Sequence, residues 1–125
     1  MLGMTPTLCL VAAMYFEARN QTSDAMLGVG QVLMENTENG KTMYDTLKKK
    51  GLFSWARKGV KIPKPKSPAD VEVFEHQQKL ARKMLFKQLR TPLLRGKYRY
   101  FNNWQLGRRF KTNVPLVRID DLVFY

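Results

Sequence analysis

The chain opens on an apolar run, LCLVAAMYF (residues 8–16), with no charge inside it. Met4 to about Arg19 reads as a helix bound for the core, with Thr5 as its cap and Pro6 at the first helical position. NQTSD breaks it with capping residues. Ala25, Val29, Val32, Leu33 and Asn36 then recur on one face at helical spacing, which predicts a second helix over 25–36. Gly28 and Gly30 lower its helix propensity, and close approach of another helix would account for both. Thr42 to Lys50 reads as a short third helix stopped by Gly51.

GLFSWARKGVKIPKPKSP reads as a solvated loop, since its prolines forbid regular structure. SPAD then opens the longest helix: Ser67 caps, Pro68 takes the first position and Asp70 closes a capping box. Val71, Phe74, Gln78, Ala81, Leu85 and Gln88/Leu89 are its expected inward stripe. KYRYFNNW alternates ring side chains as a strand does, and LVRIDDLVFY sets two short apolar runs about Asp120-Asp121, a β-hairpin pattern. The fold class expected is α+β, predominantly α, as one domain over 1–125 with a small C-terminal hairpin or sheet.

Charge adds a second layer to this pattern. The net charge is +12, unevenly spread. Residues 1–40 hold one Arg against four acids, a net −3, whereas residues 41–111 hold 20 Lys/Arg against four acids, a net +16. A cationic field of this kind attracts polyanions such as nucleic acid, anionic lipid or acidic wall polymer. No stretch is long and apolar enough to span a membrane, and no basic residue precedes the apolar run as a signal peptide would require.

The candidate chemistry narrows by exclusion. A lone Cys9 inside LCLVAA reads as a small buried hydrophobe, and a lone His76 falls on the polar side of the long helix. Neither a Ser-His-Asp or Cys-His nucleophile nor a zinc site is easily built from them, and no Gly-rich phosphate loop is present; no metal or other cofactor is implied. Carboxylates remain. Glu17 ends the core helix directly after Tyr15 and Phe16. Burial there, and the negative end of the helix dipole, would keep it protonated, as a general acid for glycoside cleavage must be. The alternative stays open: a solvated helix-end residue pairing with Arg19 or Gln21.

The stretch YFEARNQTSDAMLGVGQVLMEN resembles the opening motif of the SleB-like cell wall hydrolases, the spore-cortex-lytic type. The match rests on Tyr15, Glu17, Ala18 and Arg19, then Gly30-Gln31-Val32-Leu33 and Asn36. MYDTLKKKGLFSW resembles the family's Phe-Ser-Trp segment through Phe53, Ser54 and Trp55. YRYFNN resembles its late aromatic strand through Tyr100, Phe101 and Asn102, and VRIDDLVFY its closing hairpin. Asn20 stands where the family has Gly, in what would be a left-handed turn; Leu52 replaces a common Gln, and Leu122 stands near a common His.

The resemblance implies a lysozyme-like domain that cuts the glycan strands of peptidoglycan as a lytic transglycosylase or muramidase. Glu17 would be the sole catalytic acid/base. Ser54 and Tyr100 would hydrogen-bond sugar or orient Glu17, Trp55 would face a sugar ring, and Asn102 would hold an N-acetyl group. No motif supplies a second acid, though Asp24, Glu35 and Asp45 are available. No stable protein partner is implied. Small size without a leader or wall-binding module points to a phage endolysin, made in the host cytoplasm and reaching the periplasmic wall through a membrane lesion. Two other classes stay open: a small basic nucleic-acid-binding protein, with Tyr98, Tyr100, Phe101 and Trp104 in basic surroundings, and a wall-binding module without catalysis.

Overall fold

A computed structural model describes residues 4–49, 52–56, 58–103 and 116–125. Among them the fold is α+β and mostly α: helices α1 (Pro6–Ala18), α2 (Ser23–Asn36), α3 (Met43–Leu47) and α4 (Pro68–Phe86), a 3-10 turn over Ser54–Ala56, and strands β1 (Phe101–Asn103), β2 (Val117–Ile119) and β3 (Leu122–Phe124). The described part of the expected third helix is shorter than its pattern, and Lys50, Gly51 and Trp104 lie outside the described residues.

Local chemistry sets the helix starts. Thr5 Oγ1 accepts from Leu8 N, Thr22 Oγ1 from Ala25 N, and Ser67 Oγ from Asp70 N. Each bond satisfies one of the orphan donors of a first turn. α2 therefore begins two residues before the expected Ala25. α4 ends at Phe86 because Gln88 adopts a left-handed conformation (φ 56), and Arg90 Nη1 covers the Met84 carbonyl at 3.0 Å.

α1 is the centre of the core. Its residues Cys9 to Tyr15 are all buried, and it packs against both α2 and α4. The inward stripe of α4 differs from expectation by about one position. Gln77, Leu80, Ala81 and Met84 are buried, whereas Val71 is exposed. Gln77 is the misleading residue: a polar side chain wholly inside, with neither amide atom hydrogen-bonded to any described residue.

Gly28 and Gly30 admit neighbours at very short range. A Cβ at Gly30 would stand 2.8 Å from Met84 Sδ, the helix-on-helix approach expected. At Gly28 the neighbour is instead a strand residue, with Phe124 Cζ at 2.6 Å from the position of a Cβ. The glycine thus seats the sheet on α2.

The sheet is antiparallel with order β1-β3-β2. The hairpin forms as expected: Ile119 faces Leu122 across Asp120-Asp121, and Asp120 takes φ 54, a left-handed conformation that Asp tolerates. β1 pairs with β3, Phe101 facing Phe124, and the pairing extends through reciprocal Tyr100–Tyr125 backbone bonds at 2.9 Å. Asn20, expected in a left-handed turn, is not among the positive-φ residues.

Candidate active site

Glu17 is the penultimate residue of α1 and is partly buried. Two ties fix the segment after it. Thr22 N donates to Asp120 Oδ2 at 2.9 Å, and Asp121 N donates to Gln21 Oε1 at 3.3 Å. The hairpin turn thereby clasps the link between α1 and α2.

The expected alternative partners of the Glu17 carboxylate are engaged elsewhere. Arg19 Nη1 donates to Tyr15 Oη at 2.8 Å, its guanidinium lies 4.6 Å from the Tyr15 ring centroid, and it pairs with Asp70 at 3.6 Å. Gln21 Nε2 reaches the Glu17 backbone carbonyl at 3.5 Å, not the carboxyl. Among the described residues Glu17 makes no ion pair.

Burial raises the Glu17 pKa above its ordinary value, because the charged form loses water. The Trp55 side chain pulls in the opposite direction by presenting its indole N–H to the carboxyl. That contact falls short of full hydrogen-bond geometry: Trp55 Nε1 is buried and unbonded among the described residues. A raised acid beside an unspent buried donor is poised to accept a further polar group between them.

An aromatic chain brings Trp55 to this place. Its ring lies 4.7 Å from Phe16 and 6.0 Å from Phe53. Phe53 continues to Phe101 at 5.8 Å, and Phe101 to Phe124 at 5.9 Å. Contacts of this kind add to plain burial and link α1, the 53–55 turn and the sheet. Phe16, which carries no distinctive sequence signal beyond its apolar run, is the ring against which Trp55 rests.

The other expected site residues divide. Ser54 is exposed at the start of the 3-10 turn beside Trp55. Tyr100 is half-exposed and stacks on Tyr125 at 5.7 Å. Asn102 is partly buried, and its Oδ1 accepts from Asn103 N at 2.9 Å. By strand alternation Tyr100 and Asn102 share one sheet face, opposite to Phe101. No hydrogen bond or ring contact among the described residues joins either to Glu17 or Trp55. The structure therefore unites Glu17 and Trp55, sets Ser54 beside them in the chain, and leaves Tyr100 and Asn102 as a separate pair on the sheet.

The carboxylates considered as a second acid have other surroundings. Asp24 Oδ1 accepts from Thr91 Oγ1 at 2.8 Å, Glu35 lines a separate cleft with Arg90, and Asp45 is exposed in the first turn of α3. His76 is exposed, with Nε2 2.7 Å from Ser23 Oγ. Burial pushes the Cys9 thiol up to about 11, the state of an inert core cysteine. Among the described residues no group of three His, Cys, Asp or Glu side chains could hold a metal ion, and no helix is long and apolar enough to cross a membrane.

A cleft of about 530 Å³ opens on the Tyr15, Phe16 and Arg19 side of the end of α1, facing the 61–66 segment and the start of α4; Glu17 is not among its lining residues. Lys61, Lys64 and Lys66 line it. The pattern expected only a solvated excursion there; the signal available was Lys-x-x-Lys-x-Lys alternating with prolines, which hold the segment extended.

Compared with known proteins, the chain matches no family model, no curated protein and no solved structure.

Proposed function

We propose that this chain cleaves the glycan strands of peptidoglycan, with Glu17 as acid and then base. The observation that carries the reading is the setting of Glu17: a carboxyl at the end of a buried helix, without an ion pair among the described residues, whose burial raises its pKa. The resemblance of four ordered segments to SleB-like hydrolases supports the same assignment. In a phage endolysin this chemistry would serve host lysis.

In this mechanism Glu17 donates its proton to the oxygen between C1 of N-acetylmuramic acid and N-acetylglucosamine. The C1–O bond breaks, and positive charge develops at C1 and the ring oxygen. Glu17, now a carboxylate, takes a proton from the C6 hydroxyl as that oxygen closes on C1. The product is a 1,6-anhydro end, and Glu17 returns to its acid form. Attack by water in place of O6 gives the hydrolytic outcome with the same proton account. The anhydro route needs no second carboxylate, in keeping with the placement of Asp24, Glu35 and Asp45. The Trp55 indole N–H steadies the Glu17 carboxylate between the two proton transfers.

Clearing of purified sacculi tests the proposal. The parent protein clears the suspension, and Glu17→Gln, which keeps size and shape, loses at least 100-fold in rate with its helical signal unchanged. A Glu17→Gln protein that clears at the parent rate defeats it. Salt-sensitive binding of nucleic acid without any clearing would favour the basic-protein class instead.

A further inference from the structure

The basic cleft at the end of α1 has no role in the proton transfers above. Four cations line it, Lys61, Lys64, Lys66 and Arg19, against one carboxylate, Asp70, a net +3. Arg19 and Asp70 hold each other at 3.6 Å, so they largely cancel. The three lysines are exposed and make no ion pair among the described residues. They sit on an extended segment anchored by buried Pro63, and apolar surface lies between them: Tyr15, Phe16 and an Ile62 side chain that is 54% exposed.

Phe16 joins this cleft to the candidate active site. It lines the cleft, and its ring packs on Trp55, whose N–H faces Glu17. The volume suits a few amino-acid units rather than a polymer track. Three ammonium groups beside aliphatic and aromatic walls fit a ligand that carries carboxylates on a short, partly apolar chain.

We infer that the cleft lined by Lys61, Lys64, Lys66 and Phe16 binds the carboxylate-bearing stem peptide attached to the glycan. The inference rests on the peptidoglycan reading for the ligand's identity. The lysines then select peptide-bearing strands over bare glycan. A phosphodiester chain would use the same charges but would gain little from the apolar walls, so the carboxylate peptide is the ligand favoured here.

Calorimetric titration tests this in the full-length Glu17→Gln protein, where nothing is cleaved. The probes are N-acetylmuramyl-L-alanyl-D-glutamic acid with both carboxylates free and the same compound as its bis-carboxamide. The free acid is expected to bind at least tenfold more tightly. Adding Lys61→Gln, Lys64→Gln and Lys66→Gln together should remove that difference, and Lys→Arg at the same three positions should restore it. Equal affinity for acid and amide, no binding of either, or unaltered discrimination in the triple Gln protein overturns the inference. So does a short single-stranded oligonucleotide that displaces the free acid at lower concentration than the acid itself binds. The readout is independent of catalysis: discrimination without sacculus clearing sinks the cleavage proposal and keeps the cleft assignment, whereas clearing without discrimination does the reverse.

Discussion

Replacing Gly28 and Gly30 by Ala, one at a time, tests how the sheet that bears Tyr100 and Asn102 is seated on the helices. Both are interior positions of α2, so each substitution gains roughly 1 kcal/mol of helix propensity. The opposing cost differs. At Gly28 the new methyl would lie 2.6 and 2.9 Å from Cζ and Cε1 of Phe124, a fully buried ring on the central strand. That ring is flanked by Phe101 and cannot withdraw without moving the strand. Overpacking of this sort costs about 1–3 kcal/mol, which leaves Gly28→Ala less stable by up to about 2 kcal/mol. At Gly30 the nearest atoms are Sδ and Cε of Met84 and Cε of Met14, at 2.8–3.2 Å. Thioether ends can turn aside, so the propensity gain offsets most of the cost. The two variants should differ by about 1–2 kcal/mol, read as a shift in Tm of about 3–6 °C per kcal/mol for a chain of this length. Urea and thermal melts followed by circular dichroism measure it. If Gly28→Ala proves as stable as Gly30→Ala, Phe124 is not held against α2 as described.

Two further predictions concern Glu17. Because burial raises its pKa, the native protein carries a penalty for the ionised carboxyl, in force above the native pKa and absent below the ordinary value of about 4.5. Glu17→Gln is therefore more stable than the parent at pH 7, and the advantage shrinks as pH falls and vanishes below about pH 4.5; a pH-independent difference in melts contradicts this. Trp55→Phe removes the N–H that favours the charged form, so the Glu17 carboxyl should titrate at a still higher pH by carbon NMR, and the alkaline limb of activity should move the same way. A downward shift would show that the indole does not act on Glu17.

Much of the fold was legible because short-range chemistry decides it. Thr5-Pro6 and Ser67-Pro68 mark helix starts whatever surrounds them, and Asp120-Asp121 between apolar runs makes a two-residue turn. Long-range packing was less legible. Gly28 signals that something approaches closely, but not that the neighbour is Phe124. Gln77 sits inside where periodicity placed Gln78, because a polar side chain gives no hint of its own burial. Glu17 stands out through its apolar neighbours, the lack of another catalytic set and the resemblance of its segment to the hydrolase motif. That Trp55 meets it depends on the Phe16 and Phe53 rings, and residues some forty apart in sequence carry no local signal of contact. Tyr100 and Asn102 are candidates through the resemblance to the family's late strand; alternation puts them on one face but does not say where that face lies relative to Glu17.

Mass spectrometry of the soluble products from purified peptidoglycan tests the central claim most directly. The parent protein is expected to release disaccharide peptides ending in muramic acid, as 1,6-anhydro ends by the route favoured here, and Glu17→Gln is expected to release none. The same products from Glu17→Gln, or a parent digest in which every glycosidic bond survives, would contradict the assignment of Glu17 as the acid that cuts the strand.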